Sequence, residues 1–216
     1  MDAYIVGGGS VDIKWLKAIL SNQARKYIIA ADAGLDALLE AKIVPDAVIG
    51  DFDSCKPESK QFIENEFEGK LIRLLPEKDD TDMEAALTFV LENSKSGDIY
   101  LIGATGSRID HVLGNISLLG KGLKYNRSVY ILDTNNRIRL IDSRCVLKKE
   151  SQYGKYVSLI PYTDCVKGVT LVGFKYPLKE YTFTRNNTLG VSNEILENEA
   201  YIYMDEGILI VVEARD

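Results

Sequence analysis

The aspartates of two short segments have the spacing of a metal-binding group. Asp51 and Asp53 follow an apolar run, and Asp79 and Asp82 lie in a second acidic segment. Side chains alternate in an extended backbone, so we expect Asp51 and Asp53 to point together and Phe52 to point away. Two carboxylates this close repel each other unless a cation lies between them or one is protonated. Mg²⁺ binds one or two carboxylates together with substrate phosphate oxygens. The pattern therefore indicates a magnesium site, and a solvated acidic turn is the alternative.

Glycine-rich or polar loops follow the first five predicted strands. They are residues 7–10, 32–34, 50–54, 79–82 and 103–111. In an open parallel sheet ligands bind beyond the carboxyl ends of the strands, so we expect these loops to meet at one edge and form a site. The glycines at 7–9 match neither standard nucleotide-binding fingerprint. They either form a tight turn or present backbone N–H groups to a phosphate at a helix N-terminus.

The last of these loops adds a guanidinium and the chain's single histidine to the same edge. Its glycines lead to Arg108, whose planar fork suits phosphate oxygens. Asp110 and His111 follow in the first turn of a predicted helix. A histidine in a helix is often structural, so a structural role and a catalytic role for His111 both stay open.

Strand-like and helix-like segments alternate between residues 3 and 133. Six apolar strand segments separated by helical patterns predict a parallel sheet covered on both faces. Thr81 and Glu84 form a capping box at the start of one helix, where acids are also favoured by the helix dipole. Farther on, short β-branched and aromatic runs between turn formers predict antiparallel strands. We expect an α/β N-terminal domain with a mostly parallel six-stranded sheet at 1–134, then an all-β C-terminal sandwich domain at 135–216. Residues 135–143 are either a hinge or its first strand.

Composition and charge argue against several classes of function. The net charge of −6 over 216 residues disfavours a nucleic-acid partner, which needs a basic face. The chain lacks a run of about eighteen apolar residues, so we expect no membrane span. Its first residues lead directly into a strand, so we also expect no signal peptide. The three cysteines (Cys55, Cys145 and Cys165) have no metal-ligand spacing and favour a reducing cytoplasm.

The ordered set of motifs resembles thiamine pyrophosphokinase. The matching segments are Gly50-Asp-Phe-Asp-Ser54, Asp79-Asp-Thr-Asp82, Gly103-Ala-Thr-Gly106 followed by Arg108-Ile-Asp110-His111, and Gly190-Val-Ser-Asn193. Each motif is weak alone, but the set is specific and covers essentially the whole chain. The resemblance implies an α/β N-terminal domain, a β-sandwich C-terminal domain and a homodimer with active sites between subunits. It also implies ATP as co-substrate, Mg²⁺ as cofactor, and thiamine diphosphate and AMP as products.

The same resemblance assigns roles to individual residues. Asp51, Asp53, Asp79 and Asp82 would bind the metal and the phosphates. Arg108, Asp110 and His111 would line the cleft between nucleotide and thiamine, and Ser192 and Asn193 would contact thiamine. The loops at the sheet edge supply the other candidates for ligand contacts, which are Gly8, Gly9, Asp32, Gly34, Lys78, Thr81, Gly103, Thr105 and Gly106.

Two positions depart from the family pattern. Ser107 stands where the usual Gly-Ala-Thr-Gly-Gly-Arg motif has its second glycine, which leaves the backbone shape there open. No tryptophan follows Asn193 as it does in animal members, so what stacks on the thiamine ring is open as well.

The residues by themselves are compatible with three functions. Diphosphoryl transfer from ATP to an alcohol needs mainly in-line positioning and charge neutralisation, which the carboxylates with Mg²⁺, Arg108 and Lys78 would supply. An acidic rim would also attract thiamine, which is a cation. A metal-dependent phosphohydrolase would use the same aspartates, but two-metal sites usually recruit several histidines. A non-catalytic nucleotide-binding module would not need the acidic pairs. We predict a cytoplasmic thiamine diphosphokinase, and which aspartate would accept the proton of the alcohol is open.

Overall fold

The chain consists of two compact units that differ in secondary structure. The computed structural model describes residues 1–21, 26–75 and 80–216, and their contacts define the units Met1–Thr134 and Asn135–Asp216. Strands and helices alternate in the first unit, whereas the second is built mainly of strands. The prediction of an α/β N-terminal part followed by a β-rich C-terminal part is confirmed. Within the described ranges, no helix has the length and apolar character needed to cross a bilayer.

The described part of the N-terminal unit contains six strands and five helices. The strands are β1 (Asp2–Val6), β2 (Lys26–Ala31), β3 (Ala47–Gly50), β4 (Lys70–Arg73), β5 (Ile99–Ile102) and β6 (Val129–Leu132). The helices are α1 (Ile13–Ser21), α2 (Gly34–Glu40), α3 (Pro57–Asn65), α4 (Asp82–Asn93) and α5 (Ile109–Lys124).

The strand order of this unit creates a crevice beside β1. Hydrogen bonding gives the order β6-β5-β1-β2-β3-β4 with every pairing parallel. Val6, at the end of β1, lies opposite Ala30 on one side and Ile102 on the other. The chain adds β2, β3 and β4 on one side of β1 and then returns to add β5 and β6 on the other. The loops after β1 and β5 therefore flank a switch point, where open α/β sheets bind ligands.

Both faces of the central strands are buried. Ala3, Tyr4, Ile5 and Val6 are consecutive in β1, and each is at most 3 % exposed. Because successive side chains of a strand point to opposite faces, this pattern requires cover on both sides, as is usual in parallel sheets. The helices supply large, fully buried side chains to this core, among them Leu16, Leu20, Leu35, Leu38 and Leu87.

Two helix starts show how far local sequence determines the fold. Thr81 caps α4, because its hydroxyl accepts a hydrogen bond from the backbone N–H of Glu84 at 3.2 Å and so satisfies a donor that the helix leaves unpaired. The predicted capping box is confirmed in this respect. The sequence suggested that α1 follows the glycine turn directly, but the helix begins at Ile13.

The described C-terminal unit contains eight strands and one short 3₁₀ helix (Lys149–Ser151). The strands are β7 (Asn136–Ile141), β8 (Cys145–Lys148), β9 (Tyr156–Pro161), β10 (Cys165–Val172), β11 (Leu178–Thr184), β12 (Asn193–Glu194), β13 (Glu199–Tyr203) and β14 (Leu209–Ala214). β7, β14, β9 and β12 pair in that order, as do β8, β13, β10 and β11, always antiparallel.

Both groups of C-terminal strands contribute to one apolar cluster. Leu159 and Val211 come from the first group, and Phe183 and Ala200 from the second. β7 resolves the alternative at 135–143 in favour of a strand. β8 and β12 were not predicted.

Candidate active site

Asp51 and Asp53 lie together on a tight turn at the end of β3. Phe52, between them, has a left-handed backbone with a φ of 65° and a buried side chain. The backbone N–H of Asp53 donates to Oδ1 of Asp51 at 3.1 Å. The expected proximity of the two carboxylates is confirmed, but the expected extended backbone is wrong. A positive φ is unfavourable for a bulky residue, and burial of the phenyl ring offsets that cost.

Asp32 brings a third carboxylate to this turn. Oxygen atoms of Asp32, Asp51 and Asp53 lie within 4.8 Å of one another, because β2 ends beside β3 in the sheet. Burial raises the pKa of the Asp32 carboxyl, and the backbone N–H of Ala33 opposes that shift. The negative charges of Asp82, Asp51 and Asp53 raise this pKa further. Three close carboxylates form an all-oxygen donor set that fits a hard divalent cation such as Mg²⁺. We call these three residues the carboxylate cluster.

Asp82, from the second acidic segment, lies near the carboxylate cluster but outside it. Asp82 is the first residue of α4, and its charge acts on Asp32. Its carboxylate is not within the 4.8 Å group found among the described residues. Asp79 and Lys78 fall outside the ranges that the structure describes, so their roles stay predictions.

A cavity of about 460 Å³ occupies the switch point between β1 and β5. Its wall combines the loops after β1, β2 and β5, the start of α4 and the first turns of α5. The predicted site residues in this wall are Gly8, Gly9, Asp32, Thr81, Asp82, Gly103, Thr105, Gly106, Arg108 and His111. Since Asp32 belongs both to this wall and to the carboxylate cluster, a phosphate in the cavity would lie close to a cation held by the cluster.

The glycine turn after β1 packs against the loop after β5. The N–H groups of Gly9 and Ser10 donate to the carbonyl oxygens of Gly103 and Thr105, both at 3.0 Å. These N–H groups are therefore already used, which favours the tight-turn alternative for Gly9 and Ser10. The ligand contacts predicted for Gly8 and Gly9 stay predictions. A Cβ on Gly9 would lie 2.3 Å from the Gly103 oxygen, so glycine is needed here for close loop packing.

Gly34 has a comparable steric role beneath the site. A Cβ at this position would lie 1.8 Å from the carbonyl oxygen of Val6. The absence of a side chain lets the start of α2 lie directly against the end of β1. The ligand contact predicted for Gly34 has no counterpart in the cavity wall, of which this residue is not a part.

Arg108 and Asp110 form an exposed two-bond ion pair at the rim of the cavity. Nε of Arg108 donates to Oδ1 of Asp110 at 3.2 Å, and Nη2 donates to Oδ2 at 2.6 Å. Hydrogen bonding from Arg108 lowers the pKa of the Asp110 carboxyl. The guanidinium uses the same fork geometry that it would use for a phosphate. Asp110 therefore occupies the edge of Arg108 that an anionic ligand would take.

Asn115 and Asp133, which the sequence did not single out, hold the loop after β5. Nδ2 of Asn115, on α5, donates to the carbonyl oxygen of Ala104 at 2.8 Å. The hydroxyl of Thr105 donates to Asp133 at 2.9 Å. Asn115 lies four residues after His111 and therefore on the same face of α5, and both line the cavity. This spacing was the signal that could have identified Asn115.

The backbone accommodates the serine that departs from the family pattern. Ser107 does not have a positive φ, so its conformation does not require glycine. Ser107 lines the cavity, as does Arg108, the next residue in the sequence.

The amide of Asn193 bonds within its own unit. Its Oδ1 accepts hydrogen bonds from the backbone N–H groups of Tyr176 at 3.0 Å and Glu194 at 2.9 Å. Its Nδ2 donates to the backbone carbonyl oxygen of Tyr176 at 2.8 Å. The side chain is buried. This geometry favours a structural role over the predicted direct contact with thiamine. Ser192 beside it is exposed, with a φ of 61°.

Family models match both units of the chain. Residues 19–131 match the catalytic domain of thiamin pyrophosphokinase, and residues 144–209 match the vitamin B1 binding domain of thiamin pyrophosphokinase.

Named relatives and solved structures agree with this match. The chain is 37 % identical over 189 residues to a thiamine pyrophosphokinase of Bacillus subtilis, covering 87 % of each chain. It is similar to the crystal structure of thiamine pyrophosphokinase from Bacillus subtilis, with a TM-score of 0.90 and 32 % identity over 100 % of both chains. The thiamin pyrophosphokinase structure from Geobacillus thermodenitrificans gives a TM-score of 0.87 and 33 % identity, covering 100 % of this chain and 98 % of that one.

A carboxylate cluster beside a loop-lined cavity at the switch point of a parallel sheet is the arrangement of an α/β protein that binds a phosphorylated ligand. The family-model matches to both units identify the family within this class. The chain belongs to the thiamin pyrophosphokinase family.

Proposed function

We propose that the cavity of the N-terminal unit is where this chain carries out the reaction of its family. That reaction transfers a diphosphoryl group from ATP to the hydroxyl of thiamine, giving thiamine diphosphate and AMP. Membership of the family makes the chain an enzyme of this class. The observation that carries the location is that Asp32 belongs to the carboxylate cluster and to the cavity wall at once.

The carboxylate cluster holds Mg²⁺ in this proposal. Asp32, Asp51 and Asp53 supply its oxygens, and Asp82 adds negative charge from the start of α4. When bound, Mg²⁺ supplies charge neutralisation on the phosphate oxygens. The sequence also assigned Asp79 to the metal and Lys78 to the phosphates, and both assignments stay part of the proposal.

The remaining residues of the site bind and orient the substrates. The hydroxyl oxygen of thiamine forms a bond to the β-phosphorus of ATP, and its proton passes to a carboxylate of the site. The bond from this phosphorus to the oxygen that bridges to the α-phosphate breaks, so AMP leaves with that electron pair. This transfer depends mainly on alignment and charge, and little on a strong base. Arg108 binds phosphate oxygens by exchanging the carboxylate of Asp110 for them, and His111 and Thr105 lie on the wall where the nucleotide binds.

Thiamine is bound by the C-terminal unit, in which the vitamin B1 binding model covers residues 144–209. Since the amide of Asn193 is bonded to Tyr176 and Glu194, we assign this residue to holding the turn. The exposed hydroxyl of Ser192 is then the contact for thiamine. The acidic N-terminal site attracts the positive charge of thiamine.

The active form is a homodimer whose sites are shared between chains. Large apolar side chains are exposed beside the proposed binding residues of both units. Ile109 and Leu113 (64 % and 60 % exposed) lie near Arg108, and Leu189 and Val191 (56 % and 48 %) precede Ser192. Contact with a second copy would remove these side chains from water, which is favourable.

Mixing two inactive variants tests the shared site. Subunits with Asp53→Asn and subunits with Ser192→Trp are each expected to be inactive, and each mixed dimer would regain one intact site. Activity that stays at the level of the single variants after confirmed subunit exchange would contradict sharing.

The finer features of fold and location also belong to this proposal. Parallel pairing of all six N-terminal strands supports the mostly parallel six-stranded sheet. A core shared by two groups of antiparallel strands supports the β-sandwich. The three free cysteines are compatible with a reducing cytoplasm.

The decisive experiment measures AMP formation from ATP with and without thiamine. A diphosphotransferase forms AMP and thiamine diphosphate in equal amounts and only when thiamine and Mg²⁺ are present. Release of phosphate from ATP without thiamine would indicate a phosphohydrolase instead. ATP binding without turnover would indicate a binding module.

A further inference from the structure

The acidic turn, residues 50–54, is held from outside by a lysine of α3. We propose that Lys60 is a positioning residue that fixes the acidic turn in its metal-binding shape before a metal ion arrives. This inference rests on the proposed function, because it takes the carboxylates of Asp51 and Asp53 to be metal ligands.

The contact that carries the inference is a hydrogen bond to the main chain of the turn. Nζ of Lys60 donates to the carbonyl oxygen of Asp53 at 3.0 Å. Because the acceptor is a backbone oxygen, the bond restrains the path of the chain and takes no carboxylate oxygen from the cluster. The carboxylate of Asp53 instead accepts from the hydroxyl of Ser54 at 2.8 Å.

Helix α3 is itself anchored, so Lys60 reaches the turn from a fixed support. Asp36, on α2, accepts hydrogen bonds from the Ser59 hydroxyl at 2.5 Å and from the backbone N–H of Lys56 at 3.2 Å. Ser59 is only 3 % exposed. These bonds attach the first turn of α3 to α2, one residue before Lys60.

The acidic turn needs such support because its shape is unfavourable without a cation. Its carboxylates repel one another and Asp32 at close range, and Phe52 has a positive φ. A nearby ammonium group reduces that repulsion, and its hydrogen bond opposes opening of the turn. A turn already in place loses less conformational freedom when it binds a ligand than one that must be ordered.

The first test measures amide hydrogen exchange across residues 50–55 in protein stripped of metal with a chelator. Lys60→Met is expected to speed exchange in this segment, whereas Lys60→Arg keeps a cationic donor and restores part of the protection. Lys56→Met is the matched control, because it removes the same charge from the N-cap of α3, where the ammonium lies 4.0 Å from Glu40 and not on the acidic turn. Equal exchange in the wild type and Lys60→Met would overturn the inference.

The second test uses the Mg²⁺ concentration that gives half-maximal activity. Lys60→Met should raise this concentration roughly three- to tenfold, the factor expected for one lost hydrogen bond, and leave the KM for thiamine unchanged. An unchanged or lower Mg²⁺ requirement would overturn the positioning role. If Asp53→Asn keeps normal activity, the proposed metal site itself fails, whereas a failure confined to Lys60 leaves that site standing.

Discussion

Carboxylates occupy opposite environments in the two units of this chain. In the C-terminal unit Glu213 is 1 % exposed and accepts hydrogen bonds from Nε and Nη2 of Arg137 at 2.9 and 2.7 Å. The backbone N–H of Tyr153 donates to it as well. In the N-terminal unit Asp32 is half-buried, and burial together with neighbouring carboxylates raises its pKa.

The difference separates a carboxylate used for structure from carboxylates that we propose bind a cation. A buried acid with a two-bond arginine partner is locked into its fold, and removing one partner leaves the other charge uncompensated. A cluster of like charges is costly in the metal-free chain and becomes favourable when a cation binds. Acids whose pKa is raised by burial and by neighbouring carboxylates, as that of Asp32 is, concentrate at functional sites.

The largest expected effect is on the structural carboxylate. Glu213→Gln should lower the free energy of unfolding by about 3 kcal/mol, because the guanidinium of Arg137 loses its charged partner. Urea unfolding followed by circular dichroism measures this change. Glu206→Gln is the control, since the exposed pair of Glu206 with Lys167 at 2.8 Å should contribute less than about 1 kcal/mol. Similar losses of unfolding free energy in both variants would show that burial does not make the pair of Glu213 more important for stability than the exposed pair of Glu206.

The matching change in the carboxylate cluster should affect catalysis instead of stability. Asp53→Asn is expected to lower kcat by roughly 100-fold or more, the scale of a lost electrostatic contact at a reacting centre. Because Asp53 is exposed, the unfolding curve of Asp53→Asn should stay close to that of the wild type. Steady-state kinetics measure the effect, with Asp164→Asn, on an exposed residue of the other unit, as control. Near-normal turnover in folded Asp53→Asn would remove Asp53 from the site.

Asp32 should show the opposite sign of stability effect from Glu213. Its folded-state pKa is raised, so its contribution to stability is fully present below the unfolded-state pKa and is lost as the pH rises through the folded-state pKa. In chelator-treated protein Asp32→Asn should therefore be more stable than the wild type near neutral pH, and the difference should vanish at low pH. Urea unfolding at several pH values measures this. A variant less stable than the wild type at neutral pH would contradict the assigned cost of burying this charge beside other carboxylates.

The smallest expected effect concerns the exposed pair of Arg108 and Asp110. Arg108 and Asp110 are 69 % and 66 % exposed in their side chains, in contrast to the buried pair of Glu213. Arg108→Lys keeps the charge but loses the planar fork, and we expect a several-fold higher KM for ATP with unchanged stability. Arg185→Lys, also in an exposed pair, should leave this KM unchanged. Equal ATP kinetics in both variants would make Arg108 a simple surface charge.

Sequence predicted the local features of the site better than the long-range ones. The capping of α4 depends on two residues three positions apart, and it was predictable for that reason. The proximity of Asp51 and Asp53 was also predicted, but through an extended backbone, because nothing local indicates that Phe52 turns into the core.

The features that sequence missed depend on neighbours in space. Asp32 joins the carboxylate cluster only because β2 lies beside β3, which requires the strand order. The amide of Asn193 is used by Tyr176, 17 positions earlier in the chain, and no motif reveals that use. The N–H groups of Gly9 and Ser10 are likewise taken by a loop nearly a hundred residues away.

The central position of β1 has a consequence for synthesis of the chain. One edge of β1 pairs with β2, but the other pairs with β5, which begins at Ile99. Until β5 has left the ribosome, β1 exposes an unpaired apolar edge of the kind that promotes aggregation. The cavity of the N-terminal unit has walls on both sides of the β1–β5 pairing, so it is completed only when this long-range pairing has formed. The nucleotide binding that we propose for this cavity would then report that this part of the chain has finished folding.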